Sequence, residues 1–147
     1  MDETAYRTAL RATLDAHDRP ALERIRALLA ALPEAAREIH VVVFPDQDGE
    51  GAFSVHVSLD GPDLYVLNKA IEPHRTLFEV VHGEEGFEPD LPMFGRDPGF
   101  SVQDAIVDTA ADWIEALWPR AGHATPVPVM IYGDEDYGSA APRRLEP

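Results

Sequence analysis

The chain has 147 residues, with 12 basic against 27 acidic side chains, a formal net charge of −15 and a sequence pI near 4.5. This length suits one domain, and 45% hydrophobic with 27% charged residues suits a folded chain rather than a disordered one. The charge argues against nucleic acid and membrane as partners, and the absence of cysteine excludes disulfide frameworks, thiolate zinc sites and cysteine nucleophiles.

Residues 1–38 are predicted to be helical, as a hairpin or bent pair. Tyr6, Leu10 and Leu14 share one face, and Leu22, Ile25, Leu29 and Leu32 recur at spacings of three and four. Asp18 is expected to cap the second helix, with Pro20 in its first turn, where a missing N–H costs nothing. Residues 39–82 read as a β-meander. "HVVVF" is a short apolar run, and "FSVHVSL" alternates, with Phe53, Val55, Val57 and Leu59 facing one way and Ser54, His56 and Ser58 the other. "LYVLN" is expected as a third strand and "RTLFEVVH" as a fourth. Residues 83–100 hold four glycines and three prolines without a period, which predicts a long loop and a functional surface.

A helix is predicted over 101–118, capped by Ser101 and burying Ile106, Ala110, Trp113 and Leu117. A strand follows over 126–132, placed at a sheet edge because Pro128 lacks a donor, and 133–147 reads as a coil tail. The fold expected is therefore α+β. It has an N-terminal helical hairpin, a four- to five-stranded mostly antiparallel sheet, and a C-terminal amphipathic helix packed on one sheet face. The N-terminus shows no basic region followed by an apolar core, and no apolar run approaches the roughly 20 residues of a membrane span, so a cytoplasmic protein is expected.

Four groups of residues could carry chemistry or recognition. In "PDQDGEG", Asp46, Asp48, Glu50 and Gly51 match the start of a calcium-binding EF-hand loop, but its twelfth position falls on Val57, which offers no ligand. A hairpin turn projecting its acids is the better reading. If Val41, Val43, Phe53 and Val55 face inward, His40 and His56 share the outer face, and one register sets them directly across from each other. No spacing supplies a third ligand, though His82 could approach from another strand, so no metal site is assigned. Asp104, Asp108, Asp112 and Glu115 form a carboxylate strip on the outer side of the last helix, with no intervening Lys or Arg to offset it. "YGDEDYG" places Asp134, Glu135 and Asp136 between tyrosines, a composition suited to an interface.

No glycine-flanked nucleophilic serine and no phosphate-binding glycine motif is present, so no catalytic residues and no cofactor are assigned. The charge itself has two explanations. Lys69 is the single lysine, and the excess of Ala, Arg and Asp is also what GC-rich coding produces in ordinary cytoplasmic proteins. The other explanation is a basic partner.

"LYVLNKAIEPHRTLFEV" and "FSVQDAIVDTAADWIEALW" together resemble a small bacterial family of uncharacterised function, and the size, acidity and layout resemble immunity proteins of bacterial toxin systems. The resemblance implies no catalytic residue. The function expected is an acidic protein-binding module, with Asp46, Asp48, Glu50, Glu84, Glu85, Phe87, Asp134, Glu135, Asp136 and Tyr137 as its contact residues and a basic protein as partner. The apolar contact is expected from exposed loop residues such as Phe87, Leu91 and Phe94. The alternatives are a small-ligand or metal site on the exposed sheet face, or a homodimer.

Overall fold

A computed structural model describes residues 2–92, 94, 98–121, 125–139 and 142–147; part of the predicted loop, at 93 and 95–97, lies outside the described residues. Helix α1 (Glu3–Asp15) starts at Asp2, whose carboxylate accepts the amide of Ala5, and it buries Tyr6, Leu10 and Leu14. Helix α2 (Asp18–Ala30) buries Ala21, Leu22, Ile25 and Leu28. Asp18 does not cap it. Its carboxylate accepts the Trp113 indole N–H at 2.7 Å and an Arg120 N–H at 2.8 Å. Two tertiary donors, one of them charged, outweigh a single local amide.

Strands β1 (Glu38–Pro45) and β2 (Phe53–Asp60) pair antiparallel from Glu38↔Asp60 to Pro45↔Phe53. Ile39, Val41 and Val43 thereby share the buried face with Phe53, Val55, Val57 and Leu59, as the alternation requires. The third expected strand is instead helix α3 (Leu64–Ile71). Asp63 caps it by accepting the Val66 amide, and Leu67 and Ile71, four apart, are its buried pair, while Tyr65 is 74% exposed. Asn68 completes the docking: its side chain accepts from the Leu59 amide at 2.8 Å and donates to the Leu59 carbonyl at 3.2 Å, occupying ladder positions another strand would fill. Apolar β-formers lost to a good cap and a tertiary amide clamp.

The predicted fourth strand divides into β3 (Thr76–Glu79), antiparallel to β2, and β4 (Val81–Gly83), which pairs with β5 (Gly86–Glu88) in a separate hairpin. The expected loop thus begins with a strand. Helix α4 (Val102–Leu117) opens with the Ser101 hydroxyl accepting the Asp104 amide. Strand β6 (Val129–Gly133) runs parallel to β1, and β7 (Arg143–Leu145), within the expected coil tail, is antiparallel to β6.

The five-stranded sheet has the order β3-β2-β1-β6-β7, so β6 lies inside the sheet rather than at the predicted edge. Pro128 permits this because it stands just before the strand, where it needs no donor, and its carbonyl accepts the Ile39 amide at 2.9 Å. The parallel pairing follows from the intervening chain, α4 included, which returns β6 to the end where β1 begins.

Helix α4 packs on the buried face against β1 and β6, with α1 alongside it. It is buried on nearly every side, including Asp108 at 3% exposure and Thr109 at 4%. Phe78 and Trp113 meet edge to face, and Phe53 stacks on Phe78, which ties the helical layer to β2 and β3. Among the described residues no helix is long and apolar enough to cross a membrane.

Candidate functional site

The strand register gathers the acidic turns. β1 ends and β2 begins at the Asp46–Gly51 turn, β3 runs out toward the same end with the Val80 amide on the Phe53 carbonyl, and β6 reaches that end at Gly133↔Val43. The turns bearing Asp46, Asp48 and Glu50, the β4–β5 hairpin bearing Glu84, Glu85 and Phe87, and the Asp134–Asp136 turn therefore all leave one end of the sheet.

The first turn is rigid for local reasons. The Asp46 amide donates to the Ala52 carbonyl at 2.9 Å, and the Asp46 carboxylate accepts the Glu50 amide at 3.1 and 3.2 Å. Gly51 has a φ of 98°, and a Cβ there would sit 3.0 Å from the Phe94 ring. The segment is thus the hairpin turn expected, with its first acid spent on its own backbone. Asp46 also makes its charge felt on the core: burial first, and then this carboxylate, push the Tyr6 hydroxyl up to about 12.

The third turn is a 3-10 turn over Asp134–Asp136, and Glu135 and Asp136 both adopt left-handed backbone, with φ of 53° and 64°. Each such residue costs on the order of 1 kcal/mol, so the surrounding structure must impose it. Gly138, at the end of the turn, donates its amide to the Asp104 carboxylate at 2.8 Å, and Ser139 donates amide and hydroxyl to Asp108 at 2.8 and 2.6 Å. Gln47 donates to the Glu135 carboxylate at 3.1 Å and joins the first turn to the third.

Gly133 makes the close approach possible. A Cβ there would lie 2.5 Å from the Tyr137 carbonyl and 2.7 and 2.9 Å from the methyls of Val107. Gly133→Ala is expected to lower the unfolding free energy by about 2 kcal/mol in urea denaturation, because the backbone oxygen cannot move without breaking the turn.

Two of the expected contact features change. Tyr137 and Phe94 are half-buried and packed on the core, and Phe94 meets Tyr6 edge to face, as Leu91 also backs the core. They support the turns rather than project from them. The carboxylate strip on α4 is not free either. Asp108 takes Arg7 at 3.1 Å together with Ser139, Asp112 and Glu115 both take Arg143, and Asp104 takes Gly138. Helical periodicity predicted an unpaired face; α1 and the tail cover Asp108, while Asp112 and Glu115 stay exposed but are held by Arg143 of β7. Among the described residues, by contrast, Asp48, Glu50, Glu84, Glu85, Asp134 and Asp136 make no ion pair, so the arginines neutralise the helical layer and leave this end of the sheet negative.

The other sheet face is open, and it holds a second arrangement. His40 pairs with Ser58, and His56 with Val42, so the two histidines are offset along the strands rather than directly across. The side chain of His82, the suggested third ligand, lies outside the described residues. His56 lines a separate hollow with Phe44, Glu72, Arg75 and Thr76, and burial first, then Arg75, hold its pKa below the ordinary value against the pull of Glu79.

His40 has different neighbours. Its Nε2 is 2.8 Å from the Glu38 carboxylate, and its Nδ1 is 2.8 Å from the Tyr132 hydroxyl. Asp60 stands across from Glu38, and the ligand atoms of Glu38, His40 and Asp60 all lie within 4.8 Å of one another. A cavity of about 280 Å³, lined by Glu38, His40, Met130, Tyr132, Asp136 and Pro142, adjoins them. His40 and Asp60 are 20 positions apart and meet only through the β1–β2 register, so no local spacing signals the pair.

Fold and site together define an α+β protein with one helical layer on a mostly antiparallel sheet, an acidic end and an open polar face. The chain belongs to a family of unknown function (DUF6389), whose model matches residues 1–147. It is also similar to an aspartate–tRNA(Asp/Asn) ligase of Corynebacterium aurimucosum, at 26% identity over 149 aligned positions covering 95% of this chain. The chain spans 24% of that protein's length. No solved structure matches it.

Proposed function

We propose that the chain is an acidic protein-binding module whose contact surface is the acidic end of the sheet, the form an immunity-type inhibitor of a basic bacterial toxin would take. One observation carries this reading: the hairpin turn and the Asp134–Asp136 turn are locked together through Gln47 and Glu135, with Asp48, Glu50, Asp134 and Asp136 unpaired among the described residues. The molecule uses its arginines to neutralise acids elsewhere and holds Glu135 and Asp136 in strained backbone that aims them outward. Such a field speeds encounter with a basic surface and sets the orientation of docking. The β4–β5 hairpin leaves the same end, where Phe87 is half-buried rather than exposed as expected and Val81 is 48% exposed, and it would supply apolar contact.

The test is affinity capture from the source cell at low salt, comparing the native chain with a variant carrying Asp48→Asn, Glu50→Gln, Asp134→Asn and Asp136→Asn. One basic protein recovered at equal stoichiometry, weakened at least about tenfold by the four neutral residues and by added salt, is the expected result. Recovery of no basic protein, or equal recovery by the variant, removes the reading.

A further inference from the structure

We propose that Glu38, His40 and Asp60 on the open sheet face form a binding site for a divalent transition metal of the zinc type, a proposal that does not rest on the function of the acidic end, although Asp136 of that end lines the adjoining cavity. The donor set is the first argument. Zinc takes imidazole nitrogen and carboxylate oxygen at about 2.0–2.2 Å, so two ligand atoms on one ion lie roughly 3–4 Å apart. The three donors here lie within 4.8 Å of one another, and Asp60 is exposed and free to rotate the remaining distance inward.

Electrostatics supply the second argument. Glu38 and Asp60 are direct cross-strand partners, and like charges so placed are unfavourable. Arg144, which pairs more closely with Glu146, reaches Glu38 at 3.9 Å, and among the described residues Asp60 makes no ion pair. A divalent cation between them neutralises both.

The third argument is the support around the imidazole. Tyr132, from β6, holds Nδ1 at 2.8 Å and packs edge to face on the ring, so Nε2 points at the Glu38 carboxylate. Ligating histidines are held in this way, with the second nitrogen hydrogen-bonded to a fixed partner. The hydroxyl can donate to Nδ1 in the metal-free ring or accept from Nδ1–H once Nε2 is ligated. An imidazole among only two carboxylates selects against calcium, which takes six to eight oxygens. Three protein ligands leave a coordination position open, and the 280 Å³ cavity lies beside it.

The test is calorimetric titration of the chelator-treated full chain with zinc chloride, and with cobalt(II) chloride followed by its visible spectrum. One ion per chain, with cobalt d–d bands of a four- or five-coordinate site and no calcium heat, is the expected result. His40→Ala should abolish binding, Tyr132→Phe should weaken it about tenfold, and His56→Ala should leave it unchanged. Asp60→Asn guards against a folding artefact: it should lose zinc affinity while the metal-free variant melts no lower than the native chain, because a repulsion has been removed. Absence of zinc binding overturns the proposal and leaves Glu38 and His40 as an ordinary surface pair. Binding that survives His40→Ala or Asp60→Asn, or that His56→Ala removes, overturns it equally.

Discussion

Asp108→Ala is expected to lower the unfolding free energy by about 3 kcal/mol, measured by urea denaturation at neutral pH. Asp108 is 3% exposed and accepts from Arg7, the Ser139 amide and the Ser139 hydroxyl, so its removal leaves both Ser139 donors unmatched and Arg7, among the described residues, with only Glu3, at 3.6 Å. The loss should reach the acidic turn as well, because Ser139 follows the 134–138 segment directly. The same group predicts a pH dependence. Burial alone would raise its pKa, but the Ser139 hydroxyl and amide and the Arg7 guanidinium outweigh burial and hold it below the ordinary 3.8. A group whose folded pKa is depressed contributes stability above the unfolded value and loses it as pH falls through the folded one. The native chain should therefore lose stability progressively below about pH 4, and Asp108→Asn should flatten that acid limb in a series of denaturation curves. An unchanged acid limb in the variant would sink the assignment.

Trp113→Ala is expected to cost about 4 kcal/mol, the scale of removing a fully buried indole from a packed core. Trp113 is 1% exposed, meets Phe78 edge to face, and donates to Asp18 at 2.7 Å, so it links α4 to β3 and to the start of α2. Trp113→Phe separates the two contributions. It keeps most of the packing and removes the N–H, and about 1 kcal/mol should be lost, since Asp18 retains Arg120. Equal losses for the two variants would mean that the hydrogen bond, not the burial, holds this junction. Denaturation monitored by far-UV circular dichroism reads both.

Much of the architecture was determined locally. Helices α1, α2 and α4, the β1–β2 hairpin and the turn at Asp46 each follow from patterns within a few residues: a period near 3.6, strict alternation, and acids with glycines between apolar runs. The uncertain elements were those in which local preference met a tertiary partner. "LYVLN" has strand-forming residues, yet Asp63 caps it and Asn68 clamps it to Leu59 as a helix. Asp18 has the makings of a cap, yet it is taken by Trp113 and Arg120.

What the chain alone settled, then, is the α+β class, the inward face of the sheet, and an excess of acid on its turns. What only the tertiary structure decided is which of those acids stay free. Arg7 reaches Asp108 across 101 positions and Ser139 reaches it across 31, so the strip on α4 is neutralised by groups no local pattern connects to it. The central, parallel placement of β6 brings the 134–136 turn beside the first hairpin and Tyr132 beside His40. The reason is physical: periodicity and turn chemistry act over one or two turns of backbone, whereas strand order and charge pairing depend on which finished surfaces meet.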